Sequence, residues 1–124
     1  MIDRVRLAEL RAREEQRFTD LHPVSAGMGS ITRGHLLGGV PMAWMTRWPG
    51  SFPLFFDRAE GARFTDVDGH EYVDFCLGDT GAMAGHALDA VADALAAQAR
   101  RGITTMLPND DAPWVAAELA RRFG

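Results

Sequence analysis

Residues 61–75 read GARFTDVDGHEYVDF, and they carry the clearest strand pattern in the chain. Residues that favour strands flank DVDGH on both sides, Phe64 and Thr65 before it and Tyr72 and Val73 after it. Gly69 can supply the positive φ that a tight turn requires. The pattern therefore predicts two antiparallel strands, over residues 62–66 and 71–76, joined by a turn.

A third strand candidate, residues 54–57, precedes this pair and completes a small antiparallel meander. It belongs to an apolar segment, residues 42–56, which reads MAWMTRWPGSFPLFF. So much apolar surface is not left in water without a reason. We expect the aromatic side chains to lie in the core or at a subunit interface rather than in a ligand cage; they are Trp44, Trp48, Phe52, Phe55 and Phe56.

The residues that follow the meander, 76–86, read CLGDTGAMAGH and precede a predicted helix. Glycines allow a ligand to approach the backbone closely, and Asp79 and Thr80 can hydrogen-bond to one. Neither side chain has a partner that would make it a nucleophile. The alternative interpretation is a tight connection between a strand and a helix. Cys76, which is flanked by two apolar residues, is predicted to be buried and inert.

The N-terminal residues 3–20 have the pattern of a charged helix with a narrow apolar stripe. His22 and Pro23 are expected to end it, because the residue before a proline disfavours the α region. Residues 24–41 contain five glycines and show little periodicity. This composition predicts a mobile loop or a segment that a partner or ligand orders.

Two more helices are predicted in the last third of the chain. Apolar residues recur at helical spacing over residues 88–101, and Gly102 stands where a C-terminal cap belongs. In the final helix Asp110 or Asp111 is expected to cap the first turn, which includes Pro113. The buried face of that helix is predicted to consist of Val115, Leu119 and Phe123.

The chain has 124 residues, a net charge of -4, one cysteine and 47% hydrophobic residues. These values fit one small domain and exclude both a cluster of basic residues for nucleic acid and an intramolecular disulfide. No apolar run approaches the roughly 20 residues that span a bilayer. The charged N-terminus, MIDRVRLAELRAREEQRF, does not have the pattern of a secretory signal. We therefore expect a cytoplasmic protein that binds neither nucleic acid nor membrane.

Lysine is absent from the sequence. Lysine and arginine together total 13, and all 13 are arginines. A coding bias toward arginine and alanine would account for this absence. Whatever the cause of this absence, no side-chain amine is present to form a Schiff base.

The order of these elements resembles the N-terminal part of class-III, fold-type-I aminotransferases, which use pyridoxal phosphate. The resemblance covers residues 38–124, and more loosely the first helix. Within the family it is similar to the branch that holds glutamate-1-semialdehyde aminomutase and the β-amino-acid aminotransferases. The matching residues are Gly61, Asp66, Asp68, Gly69, Tyr72, Asp74, Gly78, Gly85 and His86.

The resemblance implies the α/β fold of pyridoxal-phosphate-dependent transferases. This chain would be its N-terminal α+β portion, with an N-terminal helix, a small antiparallel meander and two helices. The implied division is an N-terminal helix and loop, residues 1–37, and a small-domain segment, residues 38–124, truncated before the cofactor-binding domain. The full-length parent is expected to be a homodimer that acts on a small amino acid or keto acid.

Two departures from the family pattern accompany the resemblance. In GHALD, Leu88 and Asp89 stand where the family has a second histidine and a proline. Asp89 can partly compensate near the positive end of the helix dipole. The chain is also several times shorter than a family member. In the family, the missing portion carries the phosphate-binding turn, the aspartate that faces the pyridine nitrogen and the lysine that holds the cofactor.

The family also implies where a substrate would bind. The glycine-rich run would form the substrate side of the cofactor pocket, lined by Gly78, Asp79, Thr80, Gly81 and Met83. Arg47 lies in the segment from which a related branch binds the substrate carboxylate, and a guanidinium among aromatic rings suits that task. The same residue would equally suit a cation stacked on a tryptophan at the surface.

Two further interpretations concern the residues around the turn. Asp66, Asp68, His70 and Asp74 are close in sequence and invite a metal site, but only the beginning of a calcium loop is present and a hairpin turn explains the choice of Asp and Gly. His86 is either a general base or a residue that packs at the start of the helix.

Two functions are compatible with these observations. The first is the N-terminal segment of a pyridoxal-phosphate-dependent aminotransferase or aminomutase, which transfers an amino group between an amino acid and a keto or semialdehyde compound. Such a segment would be inactive alone, since it has no lysine. The second is a non-catalytic interaction module, or a remnant, that binds a full-length relative through its apolar surface.

Overall fold

The computed structural model describes residues 2–47 and 50–124, so Trp48, whose burial was predicted above, lies outside the described residues. None of the helices in these two stretches has the length and apolar character needed to cross a membrane. The elements are, in chain order, helices α1 (Arg4–Leu21) and α2 (Pro23–Arg33), two 3₁₀ turns (Leu37–Gly39 and Ala43–Arg47), strands β1 (Phe56–Glu60), β2 (Arg63–Asp66) and β3 (Glu71–Val73), and helices α3 (Asp89–Ala99) and α4 (Asp111–Phe123).

The three strands form the predicted antiparallel meander, in the order β1-β2-β3. Phe64 on β2 pairs with Tyr72 on β3, and their rings stack with centroids 4.9 Å apart. Strand β1 begins at Phe56, two residues later than predicted, and its register shifts between Phe56 and Arg58. A local irregularity of this kind cannot be read from an alternating pattern, because the pattern fixes faces and not register.

Strand β3 is shorter than predicted and ends at Val73. The next residue, Asp74, turns the chain, since its carboxylate accepts hydrogen bonds from the backbone N–H groups of Cys76 (2.8 Å) and Leu77 (3.0 Å). Asp side chains favour turns for this reason. Cys76 therefore lies beyond the strand, where it is exposed, and the prediction that it is buried is wrong.

The turn between β2 and β3 is built around Asp66. Its Oδ1 accepts hydrogen bonds from the backbone N–H groups of Asp68 (3.0 Å) and His70 (2.8 Å). Gly69 has a φ of 91°, as the sequence predicts for this position. The hairpin interpretation of DVDGH is confirmed by this geometry.

Helix α1 agrees with the sequence prediction. Asp3 caps it, because the Asp3 carboxylate accepts hydrogen bonds from the N–H groups of Val5 (3.0 Å) and Arg6 (3.1 Å). The helix ends at Leu21, and His22 follows as its C-terminal cap. The predicted end of the helix at the His-Pro dipeptide is thus confirmed.

Helix α2 corrects the prediction of a loop over residues 24–41. Pro23 occupies its first position, where a missing N–H costs nothing. The helix start is capped from the β2–β3 turn, since the Asp68 carboxylate accepts hydrogen bonds from the backbone of Val24 (2.6 Å) and from the backbone and hydroxyl of Ser25 (2.9 and 2.6 Å). These bonds lower the pKa of Asp68 even though burial alone would raise it.

The glycines of α2 suggested a loop, but one of them serves packing. A Cβ atom placed on Gly29 would lie 3.2 Å from the Cβ of Phe52, which is closer than side chains ordinarily approach. Phe52 is buried, and its ring centroid lies 5.0 Å from that of Phe18 on α1. Gly29 therefore lets α2 approach the segment that leads into the meander.

The core of residues 1–88 is small, with Val40 and Phe52 as its buried apolar side chains among the described residues. The core prediction is confirmed for Phe52. Trp44 and Phe56 are 47% and 66% exposed, so they do not belong to this core. Phe55 is half-buried. Their alternative role at a subunit interface stays a prediction.

Residues 89–124 form a second unit of two helices. Gly102 follows α3 with a φ of 103°, and its carbonyl accepts a 2.7 Å hydrogen bond from the Gln98 side chain. Helix α4 begins at Asp111 and has Pro113 in its first turn, as predicted. Asp110 occupies the N-cap position, as predicted, but its side chain makes no capping hydrogen bond.

The apolar face predicted for α4 is not buried. Val115, Leu119 and Phe123 are 45%, 54% and 82% exposed. Helical spacing does place them on one side of the helix, but an amphipathic pattern indicates a face and not what covers it. Two helices alone cannot enclose such a face, so it remains open to solvent.

Candidate functional site

The glycine-rich turn, residues 74–86, is closed by contacts at its two ends. The imidazole of His86 donates a 2.6 Å hydrogen bond from Nε2 to Oδ2 of Asp74. The backbone of His86 also pairs with Gly61, through hydrogen bonds of 3.0 and 2.8 Å in the two directions. A Cβ atom on Gly85 would lie 3.2 Å from the Cα of Gly61, so glycine is needed at this close approach. His86 thus closes the turn, as the packing interpretation predicts.

Four consecutive residues in this turn have left-handed backbone angles. Leu77, Gly78, Asp79 and Thr80 have φ values of 51°, 56°, 51° and 87°. Left-handed angles cost on the order of 1 kcal/mol or more for residues other than glycine, and least for Asp and Asn. Backbone hydrogen bonds within residues 76–82 hold the conformation, including one of 2.9 Å from Ala82 N–H to the Leu77 carbonyl. Strain of this kind concentrates at functional sites.

The five residues predicted to line a substrate pocket lie together in this turn. Gly78, Asp79, Thr80, Gly81 and Met83 are all exposed. A Cβ atom on Gly78 would meet no other atom within 4 Å, so the turn is open at that position. Cys76 belongs to the same turn, and its thiol lies 3.9 Å from the Asp79 carboxylate.

Arg47 lies outside the glycine-rich turn. It is the last residue of the second 3₁₀ turn and is exposed. Among the described residues, no hydrogen bond or ion pair joins Arg47 to residues 74–86. Its predicted role with a substrate carboxylate and the alternative of a stacked surface cation both stay predictions.

The contacts of Asp74 make the closure of the turn depend on pH. The hydrogen bond from His86 lowers the pKa of Asp74, and the N–H groups of Leu77 and Cys76 lower it further. A carboxylate with a lowered pKa stabilises the fold above the ordinary value near 3.9, and this contribution is lost as the pH falls through the lowered pKa.

We therefore expect Asp74→Asn to be less stable than the wild-type chain at pH 7, and the difference to shrink as the pH falls below about 3.9 and through the lowered pKa of Asp74. Thermal unfolding followed by circular dichroism at several pH values measures this. Asp93→Asn, at an exposed position of α3, is the control and should differ little from wild type throughout. A difference between Asp74→Asn and wild type that grows as the pH falls below about 4 would contradict the role of this carboxylate.

A second polar group is the His–Asp cluster of His22, Asp66, His70 and Tyr72, of which sequence analysis named Asp66 and His70 as candidate metal ligands but not His22. His22 Nε2 lies 2.8 Å from the Tyr72 hydroxyl oxygen, and that hydroxyl donates a 2.9 Å hydrogen bond to Asp66 Oδ2. The ring of His70 donates to the same Asp66 oxygen at 3.3 Å. His22 lies at the junction of α1 and α2, and the other three residues belong to the meander. The cluster therefore joins the two N-terminal helices to the meander.

Burial and hydrogen bonding act in opposite directions on the pKa of the Asp66 carboxyl group. Asp66 is 1% exposed. Burial alone would raise the pKa of Asp66, but hydrogen bonds from the His70 backbone and the Tyr72 hydroxyl, with the positive potential of the His70 ring, outweigh it and lower the pKa. Burial, followed by the contact with Asp66, raises the pKa of Tyr72 to about 12. The cluster thus holds a carboxylate beside a neutral phenol.

The signal for this cluster in the sequence is weak. Asp66 and His70 stand four residues apart in the predicted turn, but His22 is far from them along the chain. A histidine before a proline predicts only the end of a helix. The contact follows from the way α1 and α2 pack on the meander, which local patterns do not specify.

Comparison with known protein families gives a match over the C-terminal two thirds of the chain. The family model described as "Aminotransferase class-III" matches residues 44–124. Among curated proteins, a glutamate-1-semialdehyde 2,1-aminomutase of Chloroflexus aggregans is 42% identical over 64 residues, which are 52% of this chain and 15% of that protein. One of Thermoplasma acidophilum is 38% identical over 86 residues, which are 67% of this chain and 20% of that protein.

Solved structures match nearly the whole chain. A glutamate-1-semialdehyde-aminomutase from Pseudomonas aeruginosa is 58% identical, with a TM-score of 0.89, over 99% of this chain and 27% of that one. A lysine-to-alanine variant of such an enzyme, in complex with PMP, matches equally well. A β-phenylalanine aminotransferase from Variovorax paradoxus is 29% identical, with a TM-score of 0.77, over 90% of this chain and 26% of that one. The chain thus spans about a quarter or less of the proteins that it matches.

Proposed function

Because the chain belongs to the class-III aminotransferase family, we propose that it forms the N-terminal segment of a pyridoxal-phosphate-dependent aminotransferase or aminomutase. The family predicted from the sequence is confirmed by this membership, and the fold class by the match to solved aminotransferase structures. The complete enzyme would transfer an amino group between an amino acid and a keto or semialdehyde compound. The observation that carries the proposal is the match of 99% of the chain to an aminomutase at 58% identity.

In this proposal the glycine-rich turn forms one wall of the substrate site. The Asp79 carboxylate and the Thr80 hydroxyl are exposed there and can hydrogen-bond to a polar substrate. Gly78 leaves room for close approach to the backbone, and Met83, which is 73% exposed, offers an apolar contact. Arg47 is proposed to bind a substrate carboxylate through its guanidinium.

The residues of this chain do not by themselves fit a covalently held pyridoxal phosphate. All 13 of its lysine and arginine residues are arginines, so no side-chain amine can form an imine with the aldehyde. The glycine-rich turn is open on the side of Gly78 and does not enclose a ring. We therefore propose that the chain alone does not catalyse amino transfer and that its role is to shape the substrate side of a complete site.

A complementation experiment tests this proposal. The part of the Pseudomonas aeruginosa aminomutase outside the match is produced alone and mixed with this chain and pyridoxal phosphate, and amino transfer from glutamate-1-semialdehyde is measured. We expect activity in the mixture and none with this chain alone. The matched segment of that aminomutase serves as the positive control, since it shows whether the divided enzyme can reassemble.

Variants of the turn make the complementation test specific. Asp79→Ala should lower the rate of the mixture by roughly tenfold, the cost of a lost substrate hydrogen bond. Asp93→Ala, at an exposed position of α3, should leave the rate unchanged. Recovery of activity with the positive control but not with this chain would refute the proposal of an enzyme segment.

The alternative function is a non-catalytic module that binds a full-length relative. The observation in its favour is the exposure of apolar side chains on both helices of residues 89–124, which are Val91, Leu95, Val115, Leu119 and Phe123. Such a module would bind the intact aminomutase in a pull-down and would not restore activity to its separated remainder. The division of the chain at residues 37 and 38, the cytoplasmic location and the homodimer of the full-length parent stay predictions.

A further inference from the structure

We propose that His22, Asp66 and His70 form a binding site for a divalent transition-metal ion of the kind that imidazole and carboxylate ligands prefer, such as Zn²⁺. The proposal concerns the His–Asp cluster and not the glycine-rich turn. It is therefore independent of the proposed amino-transfer function.

The spacing of the three donor atoms fits such an ion. One nitrogen from each histidine and one carboxylate oxygen lie within 4.8 Å of one another. Asp66 Oδ2 is 3.5 Å from His22 Nε2 and 3.3 Å from His70 Nδ1. Zinc bonds to nitrogen and oxygen are about 2.0–2.1 Å long, so neighbouring ligands of a tetrahedral ion are about 3.3 Å apart. Two of the three distances between donor atoms are already close to that value.

In His22 and Asp66, hydrogen bonds to one polar atom orient the side chain so that its other polar atom faces the site. His22 Nδ1 donates a 2.6 Å hydrogen bond to the Phe18 carbonyl, which directs Nε2 toward Asp66. Asp66 Oδ1 accepts from the backbone N–H groups of Asp68 and His70, which leaves Oδ2 for the ion. Metal-binding histidines and carboxylates in proteins are oriented by contacts of this type.

The site combines a dry interior with a route from solvent. The side chains of His22 and Asp66 are 7% and 0% exposed, whereas that of His70 is 38% exposed. An ion can therefore reach the donors from the side of His70, and a water molecule there can supply a fourth ligand. The set of two imidazoles and one carboxylate favours transition metals over Mg²⁺ and Ca²⁺, which prefer oxygen ligands.

Tyr72 competes with the ion for the same atoms. Its hydroxyl oxygen lies 2.8 Å from His22 Nε2 and 2.9 Å from Asp66 Oδ2. An ion bound to both atoms must displace at least one of these hydrogen bonds. Removal of the hydroxyl should therefore strengthen metal binding, whereas in a cluster that serves only the fold it would simply remove two contacts.

The test uses the whole chain, freed of metal with a chelator and titrated with ZnCl₂ and CoCl₂. We expect one ion per chain by calorimetry, visible absorption of tetrahedral Co²⁺, and a rise in Tm of roughly 10 °C when free Zn²⁺ exceeds Kd a hundredfold. MgCl₂ is the control ion and should leave Tm unchanged. An equal response to Mg²⁺ would overturn the proposal, because it would indicate unspecific binding to carboxylates.

Three variants decide the location of the site. His70→Ala should weaken Zn²⁺ binding by at least roughly tenfold, since even residues that only support a ligand contribute that much. His35→Ala removes an exposed histidine outside the cluster and should bind as wild type does. Tyr72→Phe should bind Zn²⁺ between about three and ten times more tightly, the equivalent of one hydrogen bond. Equal affinity of wild type and His70→Ala, or no rise in Tm with Zn²⁺ in either wild type or Tyr72→Phe, would refute the proposal.

Discussion

Replacement of Asp66 by alanine is expected to lower the free energy of unfolding by about 3–5 kcal/mol, the usual cost of removing one partner from a buried charged network. The Asp66 carboxylate is fully buried and accepts hydrogen bonds from two backbone N–H groups, the Tyr72 hydroxyl and the His70 ring. Without it the Tyr72 hydroxyl and the two N–H groups, which belong to half-buried residues, lose their acceptor. Urea unfolding followed by circular dichroism measures the loss.

Asp93→Ala is the matched control, because it removes the same functional group from an exposed position of α3. Its unfolding free energy should stay within about 0.5 kcal/mol of wild type or rise slightly. A single small domain has only about 5–15 kcal/mol of stability, so Asp66→Ala should remove a substantial part of it. Unfolding midpoints that coincide for the two variants would show that the network does not stabilise the fold.

Phe52→Ala is expected to be the second severe change, with a loss of about 3 kcal/mol. Phe52 is 8% exposed, its ring packs against Phe18, and its Cβ lies against Gly29 of α2. Truncation would leave a cavity between α1, α2 and the chain that enters the meander. Only Val40 shares the buried apolar core of the described residues, so little else can fill it.

Phe75→Ala controls for the removal of a phenyl ring as such. Phe75 is 93% exposed, so its truncation should change the unfolding free energy by less than about 0.5 kcal/mol. The two variants are compared by the same urea titration, with the slope of the transition monitored. If Phe52→Ala and Phe75→Ala lost the same free energy of unfolding, Phe52 would not be the centre of the core that the structure indicates.

The elements that the sequence predicted correctly are those with a local physical cause. The strand-forming residues around DVDGH and the glycine in its turn were sufficient for the meander, and Asp3 supplied a local cap for α1. Helix α2 was missed because its cap, Asp68, and the packing partner of Gly29, Phe52, both come from elsewhere in the chain. A count of glycines cannot reveal such partners.

The candidate site was predictable to a similar extent. The glycine-rich turn was identified from composition and family resemblance, but the left-handed angles of Leu77 and Thr80 could not be, since these residue types seldom adopt them. The expected burial of Val115 failed because helical periodicity does not say whether a partner covers the face. The His–Asp cluster required the packing of His22 on Asp66, a contact between distant residues that only the folded chain defines.

The exposed thiol beside the glycine-rich turn has a practical consequence. Cys76 is the single cysteine of the chain, so a maleimide dye or spin label would attach at one defined place without prior removal of other thiols. Because that place is two residues from Gly78, the label would sense any molecule that settles on the turn. Fluorescence or paramagnetic broadening could then follow assembly and ligand contact in real time, even where no catalytic turnover takes place.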